Sequence, residues 1–234
     1  MPNGIGDSLL KHLFPGRCLC CDLPSQRSLD LCVSCERCFR PLHQQCLLCA
    51  EPMIISGICG HCQQQPPAFS RVVAPFIYGH PLAQLITGLK HGRNLSAGRV
   101  LAHLLAEHLE TRLSARPDCI VPMPLHRRRL LTRGFNQARE IARGVAAKTA
   151  IPLVDGMARR VVHTPMQQNL NRHHRASNLR NGFSASPRVA GLHIAVVDDV
   201  VTTTSTARAI SATLAKAGAE KVEIWCVART ALEN

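Results

Sequence analysis

Two adjacent carboxylates, Asp198 and Asp199, precede a run of hydroxyl side chains in this 234-residue sequence. Backbone N–H groups and hydroxyls in a loop that opens a helix can hold a phosphate dianion. The carboxylates can accept hydrogen bonds from the vicinal hydroxyls of a ribose. Together they predict a site for a phosphorylated sugar, and the alternative is that these residues only cap the helix. The predicted phosphate-binding residues are Thr202, Thr203, Thr204, Ser205 and Thr206.

Such a site needs a strand before it and a helix after it. Residues 193–197 are mostly apolar and β-branched, which predicts a buried strand. Ala207, Ile210 and Leu214 follow at helical spacing, and α/β folds place ligands where a strand ends. The alternating pattern around Trp225 predicts a strand, with Trp225 at a sheet edge or at an interface. We therefore expect an α/β fold, a parallel sheet flanked by helices, with further strands at 72–78, 119–124 and 221–229 and helices at 81–90, 100–113 and 138–148.

Cysteines supply a second kind of chemistry near the N-terminus. Ten of the twelve lie between Cys18 and Cys62, mostly in Cys-x-x-Cys pairs, and such pairs without an export signal predict metal ligands rather than disulfides. Two pairs complete a tetrahedral zinc site, so the pairs predict one or two structural zinc ions, with an iron–sulfur cluster as the alternative. Adjacent and interleaved pairing both remain open. The predicted ligands are Cys18, Cys21, Cys32, Cys35, Cys46, Cys49, Cys59 and Cys62.

The segment 63–67, Gln-Gln-Gln-Pro-Pro, is a polar, proline-marked break. It predicts a cysteine-rich zinc module at 1–65 and an α/β domain at 66–234. The module has too little apolar material for its own core, so bound metal would supply folding energy. Lys and Arg number 28 against 15 Asp and Glu, and the formal net charge of +13 favours anionic partners. Neither a leader nor a membrane span is recognisable, which predicts a cytoplasmic protein.

Basic segments provide candidates for holding further phosphates. Lys90 lies between two predicted helices, and Arg128 and Arg129 follow the strand at 119–124. Arginine forks suit pyrophosphate oxygens, although a run of charge is as often a solvated surface. The polar segment 159–180 is short of core residues and is typical of an active-site lid, or of an ordinary surface loop. The predicted lid residues are His163, Thr164, Gln167 and Arg175.

The stretch from Val197 to Thr206 resembles the phosphoribosyl-diphosphate (PRPP) binding signature of type I phosphoribosyltransferases. That signature is a strand, two acidic residues and a loop that usually contains Thr-Gly-x-Thr. This chain has Thr204 where the pattern has glycine, and a β-branched residue resists the positive φ that glycine permits. Further motifs make the chain similar to the ComF/GntX family, among them Val-Pro-x-Pro-Leu-x-x-Arg-Arg at 121–129, Arg-Gly-Phe-Asn-Gln at 133–137 and Thr-x-x-Gln at 164–167.

The resemblance implies a zinc finger joined to a type I phosphoribosyltransferase domain that binds PRPP with Mg²⁺. It places Asp198 and Asp199 at the ribose, residues 202–206 at the 5′-phosphate and the basic candidates at the leaving pyrophosphate. It also implies a link to natural competence, to internalised single-stranded DNA or to the use of DNA as a nutrient, with protein partners in DNA uptake. Whether the group is transferred stays open, and no residue identifies the acceptor.

Two alternatives belong to other functional classes. One is a non-catalytic accessory protein that binds single-stranded DNA, and the other is a regulator that senses PRPP. The positive charge favours DNA binding, because phosphate contacts dominate non-specific affinity. The aromatic content of 3% argues against it, because few side chains are available to stack on bases.

Overall fold

The computed structural model describes residues 16–161 and 182–231, and the structural statements below concern these residues. A parallel sheet forms the centre of the fold. Its order is β1–β7–β6–β3, and β2 also pairs with β7 in parallel. The predicted parallel α/β architecture is therefore confirmed. Its strands are β1 (Arg71–Val73), β2 (Phe76–Ile77), β3 (Cys119–Pro122), β6 (His193–Val201) and β7 (Lys221–Arg229).

Helices flank the sheet, and four of the seven described helices start at a residue whose side chain caps the helix. The Asn94 side chain accepts a hydrogen bond from the backbone N–H of Ala97, so the second long helix begins at Leu95 rather than at the predicted residue 100. None of the described helices combines the length and the apolar character that a bilayer crossing requires. The helices are α1 (Val33–Arg37), α2 (Gly60–Gln64), α3 (Leu82–Gly92), α4 (Leu95–Glu110), α5 (Arg127–Arg133), α6 (Gln137–Thr149) and α7 (Ser205–Lys216).

Both faces of the two longest strands are buried. Ala195 and Trp225 point into a core formed with α3, α4 and α6, whereas Ile194 and Ile224 point into a second core formed with α7. The predicted edge position of Trp225 is wrong, because β7 lies between β1 and β6 and Trp225 is fully buried. Its polar neighbour Glu223 suggested alternation, but this carboxylate is itself buried and ion-paired with Arg71 and Lys221.

A short antiparallel pair lies outside the main sheet. It consists of β4 (Ala158–Arg160) and β5 (Phe183–Ala185), and a single 3₁₀ turn at Pro187–Val189 follows it. The pair borders the chain between residues 161 and 182, where the predicted lid residues His163, Thr164, Gln167 and Arg175 fall outside the described ranges.

The cysteine-rich region packs directly against the sheet. The backbone N–H of Leu42 donates to the carbonyl of Pro75 at 2.9 Å, and that of Val72 donates to Leu48 at 2.7 Å. Cys46 and Cys62 also belong to the same buried core as residues of α7. The division of the chain at residue 65 stays a prediction, but the two parts share cores and backbone hydrogen bonds.

Candidate functional site

The acidic pair lies near the carboxyl end of β6, flanked by β3 and β7. Asp199 is 4% exposed, and its Oδ2 lies 2.8 Å from Nζ of Lys90 at the end of α3. Asp198 is half-buried and accepts the backbone N–H of Asp199 at 2.9 Å, while Asp199 accepts that of Val200 at 2.8 Å. The ends of β6 and α3 therefore bring two carboxylates and one ammonium together.

Asp198 does not ionise at the ordinary pKa of an aspartate. Burial and the negative charge of Asp199 raise the pKa of Asp198 from 3.8 to about 8, against the opposing effect of Lys90. Near neutral pH Asp198 therefore largely keeps its proton, and a carboxylic acid can both donate and accept hydrogen bonds to sugar hydroxyls.

The hydroxyl loop, residues 202–206, joins β6 to the N-terminus of α7. Thr202 and Thr203 are exposed, and the Oγ atoms of Thr203 and Ser205 lie 3.0 Å apart. Thr204 is only 4% exposed and has φ of 61° and ψ of −5°, in the left-handed region. The loop keeps the backbone conformation that favours glycine, although the residue is β-branched, at a strain of about 1–2 kcal/mol.

An open cleft of about 650 Å³ lies beside the end of β3 and the short β4–β5 pair. Its walls include Pro124, Asn136, Asp155 and Arg159. The Asn136 side chain donates to the carbonyl of Met123 at 3.0 Å, which fixes the turn after β3. The cleft is large enough for a planar ring system or a nucleotide fragment.

Basic side chains border this edge of the sheet. A smaller cleft of about 320 Å³ is lined by Lys90, His91, Arg93, Thr132 and Arg133. Its positive lining is suited to an anionic group such as a phosphate.

The structure brings together only some of the residues predicted for pyrophosphate. Lys90 reaches Asp199, but Arg128 is exposed on α5 and, within the described residues, bonds to neither carboxylate. Burial lowers the pKa of Arg160 on β4, the charge of Arg129 lowers it further and that of Asp198 raises it. Arg129, Arg160 and Asp198 therefore lie within electrostatic range of one another.

The cysteines form two separate four-thiol groups. The first cluster is Cys18, Cys21, Cys32 and Cys35, and the second cluster is Cys46, Cys49, Cys59 and Cys62, each with all its sulfur atoms within 4.8 Å of one another. The pairing of neighbouring knuckles is thus adjacent rather than interleaved.

The sulfur geometry fits zinc. Tetrahedral bonds of about 2.3 Å put ligand sulfurs about 3.8 Å apart. The Cys21–Cys32 sulfur separation is 3.8 Å, and the Cys49–Cys59 separation is 3.7 Å. Each cluster has the donor set and spacing of a closed structural site.

Each cluster also contains a thiol that ionises readily. Burial raises the pKa of Cys18, but backbone N–H groups, led by that of Cys32, outweigh it and lower the pKa to about 6. In the second cluster, N–H groups of Cys49 and Cys59 overcome burial in the same way and lower the pKa of Cys46 to about 7. These N–H donors favour the thiolate form, which is the form that binds metal.

Three arginines near the site were missed from the sequence. Arg160 stacks over Phe183 at 5.5 Å, and Arg208 and Arg229 contact the hydroxyl loop. For Arg208 a local signal existed, since it lies four residues after Thr204 on the same face of a helix start. For Arg229 none existed, since its partners are far away in sequence.

The family model of the phosphoribosyl transferase domain matches residues 92–232 of this chain. The chain therefore belongs to the class of proteins with such a domain. DNA utilization protein YhgH of Salmonella typhimurium is 36% identical over 225 residues, which cover 92% of this chain and 98% of that protein. Competence protein F of Haemophilus influenzae is 32% identical over 232 residues, covering 94% and 100%. The chain therefore belongs to the ComF/GntX family, as the sequence motifs predicted.

Two more known proteins are similar to this chain. The Escherichia coli K12 protein named DNA utilization protein YhgH is 35% identical over 222 residues, which cover 92% of this chain and 98% of that protein. Among solved structures, glutamine PRPP amidotransferase from B. subtilis complexed with ADP and GMP aligns with 56% of this chain and 26% of its own. That alignment has 23% identity and a TM-score of 0.39.

Proposed function

We propose that this protein binds PRPP, as its magnesium complex, at the carboxyl edge of the parallel sheet. The observation that carries the proposal is the left-handed conformation of Thr204, held at the start of α7 beside the acidic pair. A β-branched residue adopts that backbone only under constraint, and strained backbone concentrates at ligand sites. We expect the N–H groups of this loop and the exposed hydroxyls of Thr202 and Thr203 to hold a 5′-phosphate.

Each part of the site has a role in this proposal. The hydroxyl loop holds the 5′-phosphate, and Asp198 and Asp199 hold the ribose hydroxyls. Lys90, which neutralises Asp199 in the free protein, supplies positive charge to the pyrophosphate together with Arg129. Arg128 on the same helix is exposed and needs a side-chain movement to join them. Magnesium bound with PRPP would neutralise further phosphate charge.

The reaction that this arrangement suits is phosphoribosyl transfer. The bond from the anomeric carbon to pyrophosphate breaks, the leaving oxygen takes the electron pair, and an acceptor nucleophile forms the new bond to that carbon. The sugar carries positive charge in between, so a nearby carboxylate and exclusion of water assist more than a strong protein nucleophile. The cleft beside β3 is the proposed place for the acceptor.

We propose that each cysteine cluster holds one structural zinc ion. All-thiolate closed sites leave no position for substrate, so these ions would act on stability and not on the reaction. We further propose a reducing, cytoplasmic setting, in which cysteine thiolates are available to bind metal.

A role in handling DNA is the second candidate, favoured by the names of the relatives and by the basic cleft around Lys90 and Arg133. A single strand bound there would be held mainly through its phosphates, and its affinity would fall steeply with salt. Under this candidate the PRPP site acts as a sensor or has lost transfer activity.

Isothermal titration of the zinc-loaded full chain with Mg²⁺–PRPP tests the primary proposal. We expect saturable binding by the wild type and binding about tenfold or more weaker for Asp199→Asn, which keeps the shape but removes the charge. Glu107→Gln, at an exposed carboxylate that pairs with Lys148 and lies outside the proposed site, is the matched control. Absence of saturable PRPP binding contradicts the proposal, whereas salt-dependent binding of a deoxythymidine oligomer without PRPP binding favours the second candidate.

A further inference from the structure

Two arginines connect the second cluster to the hydroxyl loop. Arg229, the last residue of β7, is 1% exposed. Its Nε donates to the carbonyl of Cys49 at 3.0 Å, and Nη2 forms an ion pair with Glu51. Its Nη1 donates to the carbonyls of Val201, at 3.4 Å, and Thr202. One guanidinium therefore bridges a metal knuckle and the residues that lead into the loop.

Arg208 makes a second bridge from the first turn of α7. Its Nε donates to the hydroxyl of Thr204 at 3.2 Å, and Nη1 donates to the carbonyl of Gln65 at 2.7 Å. Its Nη2 lies 3.5 Å from the sulfur of Cys62, a member of the second cluster. The same side chain thus contacts a predicted metal ligand and the one loop residue in the left-handed conformation.

The charge of a loaded cluster explains why this bridge would respond to metal. Four thiolates around a divalent ion carry a net charge of about −2, and a hydrogen bond from a guanidinium to such a sulfur is charge-assisted. A neutral thiol is a weak acceptor, so the metal-free cluster holds Arg208 less firmly. Arg208 in turn holds Thr204, whose backbone is strained and needs outside contacts to persist.

We propose that the second cluster positions the phosphate-binding loop through Arg208 and Arg229, so that metal in this cluster and a phosphorylated ligand at the loop strengthen each other's binding. Arg208 and Arg229 are positioning residues and touch neither the ligand nor the metal ion. The expected effect on binding of the phosphorylated ligand rests on the proposed function. The expected effect on the order of the hydroxyl loop does not.

The first cluster provides an internal control. Within residues 16–161 and 182–231, no hydrogen bond or ion pair joins its cysteines to the hydroxyl loop. The chain around the first cluster contacts α4 instead, where Nη2 of Arg99 lies 3.4 Å from Oδ2 of Asp30. Arg99→Met therefore removes an arginine contact beside the first cluster and leaves both Arg208 and Arg229 in place.

The effect on binding is reciprocal, because two linked sites must share one coupling free energy. Loss of the Arg208 bridge is expected to weaken Mg²⁺–PRPP about tenfold, within the range of about 5- to 150-fold typical of such coupling. In the wild type, PRPP should slow the release of one zinc ion to a chelator and leave the other unaffected. Simple damage to the fold would not make this protection selective.

Hydrogen–deuterium exchange of the zinc-loaded full chain tests this inference. It is measured on wild type, Arg208→Met and Arg99→Met, each with and without Mg²⁺–PRPP. We expect exchange in peptides covering 201–206 to be about fivefold or more faster in Arg208→Met, and unchanged in Arg99→Met. If Arg208→Met does not fold, Arg208→Lys, which keeps the charge but lacks the planar fork, replaces it and should show the same change.

The inference is wrong if peptides covering 201–206 exchange at the same rate in wild type and in Arg208→Met, or in Arg208→Lys where that variant is used instead. PRPP protection of both zinc ions alike would overturn it as well. If the exchange of 201–206 differs between wild type and Arg208→Met but wild type does not bind PRPP, the proposed function is wrong and the contribution of Arg208 to the order of the loop stands.

Discussion

Asp198→Asn is expected to stabilise the folded protein increasingly as the pH rises from about 5 to about 8. The folded-state pKa of Asp198, about 8, lies above its ordinary value of 3.8, so the folded protein binds this proton more tightly than the unfolded chain. Wild type therefore loses stability as the pH rises from about 4 to about 8. Asparagine has no proton to lose, and it keeps the oxygen that accepts the N–H of Asp199.

The size of the effect follows from the shift in pKa. At about 1.4 kcal/mol per pKa unit, the whole shift corresponds to a ceiling of about 6 kcal/mol. Asp198 is half-buried, and water at its exposed side and the nearby ammonium of Lys90 reduce the penalty for its charge. We expect Asp198→Asn to be more stable than wild type by about 2 kcal/mol at pH 8 and by less than about half of that at pH 5.

Urea unfolding of zinc-loaded wild type and variant at both pH values measures this difference. Asp155→Asn serves as the control, because Asp155 is an exposed aspartate that pairs with Arg139 at the surface. Effects of pH on the cysteine clusters cancel in the difference between variant and wild type. The prediction is wrong if the difference in free energy of unfolding between variant and wild type stays constant from pH 5 to pH 8, or if wild type is the more stable protein at pH 8.

Three further predictions concern the same edge of the sheet and the clusters. Thr204→Val should lower the free energy of unfolding by about 1–2 kcal/mol more than Thr204→Gly, because both variants lose the hydroxyl bond to Arg208 but only glycine relieves the backbone strain. Lys90→Met should cost about 2 kcal/mol at pH 7, because it leaves the buried Asp199 carboxylate without its cation. Cys62→Ser should halve a zinc content of two ions per chain, measured by X-ray fluorescence.

Each of these has a matched comparison. Equal stability of the two Thr204 variants in urea unfolding contradicts a strained loop. For Lys90→Met, adding Asp199→Asn should recover most of the lost stability, and the ion-pair explanation is wrong if the double variant is as unstable as the single one. Cys38→Ser should leave the zinc content unchanged, since Cys38 belongs to neither cluster.

The sequence was most informative where local pattern and chemistry coincide. The buried strand β6, the acidic pair and the start of α7 were all predicted, because a β-branched run, adjacent carboxylates and a hydroxyl-rich turn each have a local structural meaning. The left-handed conformation at Thr204 could be anticipated from the resemblance but not from the residue itself. A β-branched side chain argues against positive φ, and contacts from outside the loop decide the outcome.

Pairing and long-range contacts could not be predicted in the same way. Adjacent and interleaved pairing of the cysteine knuckles use the same ligands and spacing, and only the folded chain distinguishes them. Arg229 binds Cys49 and Glu51 across about 180 residues of sequence, and no local pattern encodes that contact. Trp225 was misplaced because a buried, ion-paired Glu223 imitates the alternation of an edge strand.

A crystal structure of the zinc-loaded protein soaked with Mg²⁺–PRPP shows directly whether the hydroxyl loop binds a phosphorylated sugar. We expect density for a 5′-phosphate within hydrogen-bonding distance of the N–H groups and hydroxyls of residues 202–206, with the ribose hydroxyls at Asp198 and Asp199. An empty loop at saturating ligand, or PRPP bound elsewhere on the chain, would contradict this expectation.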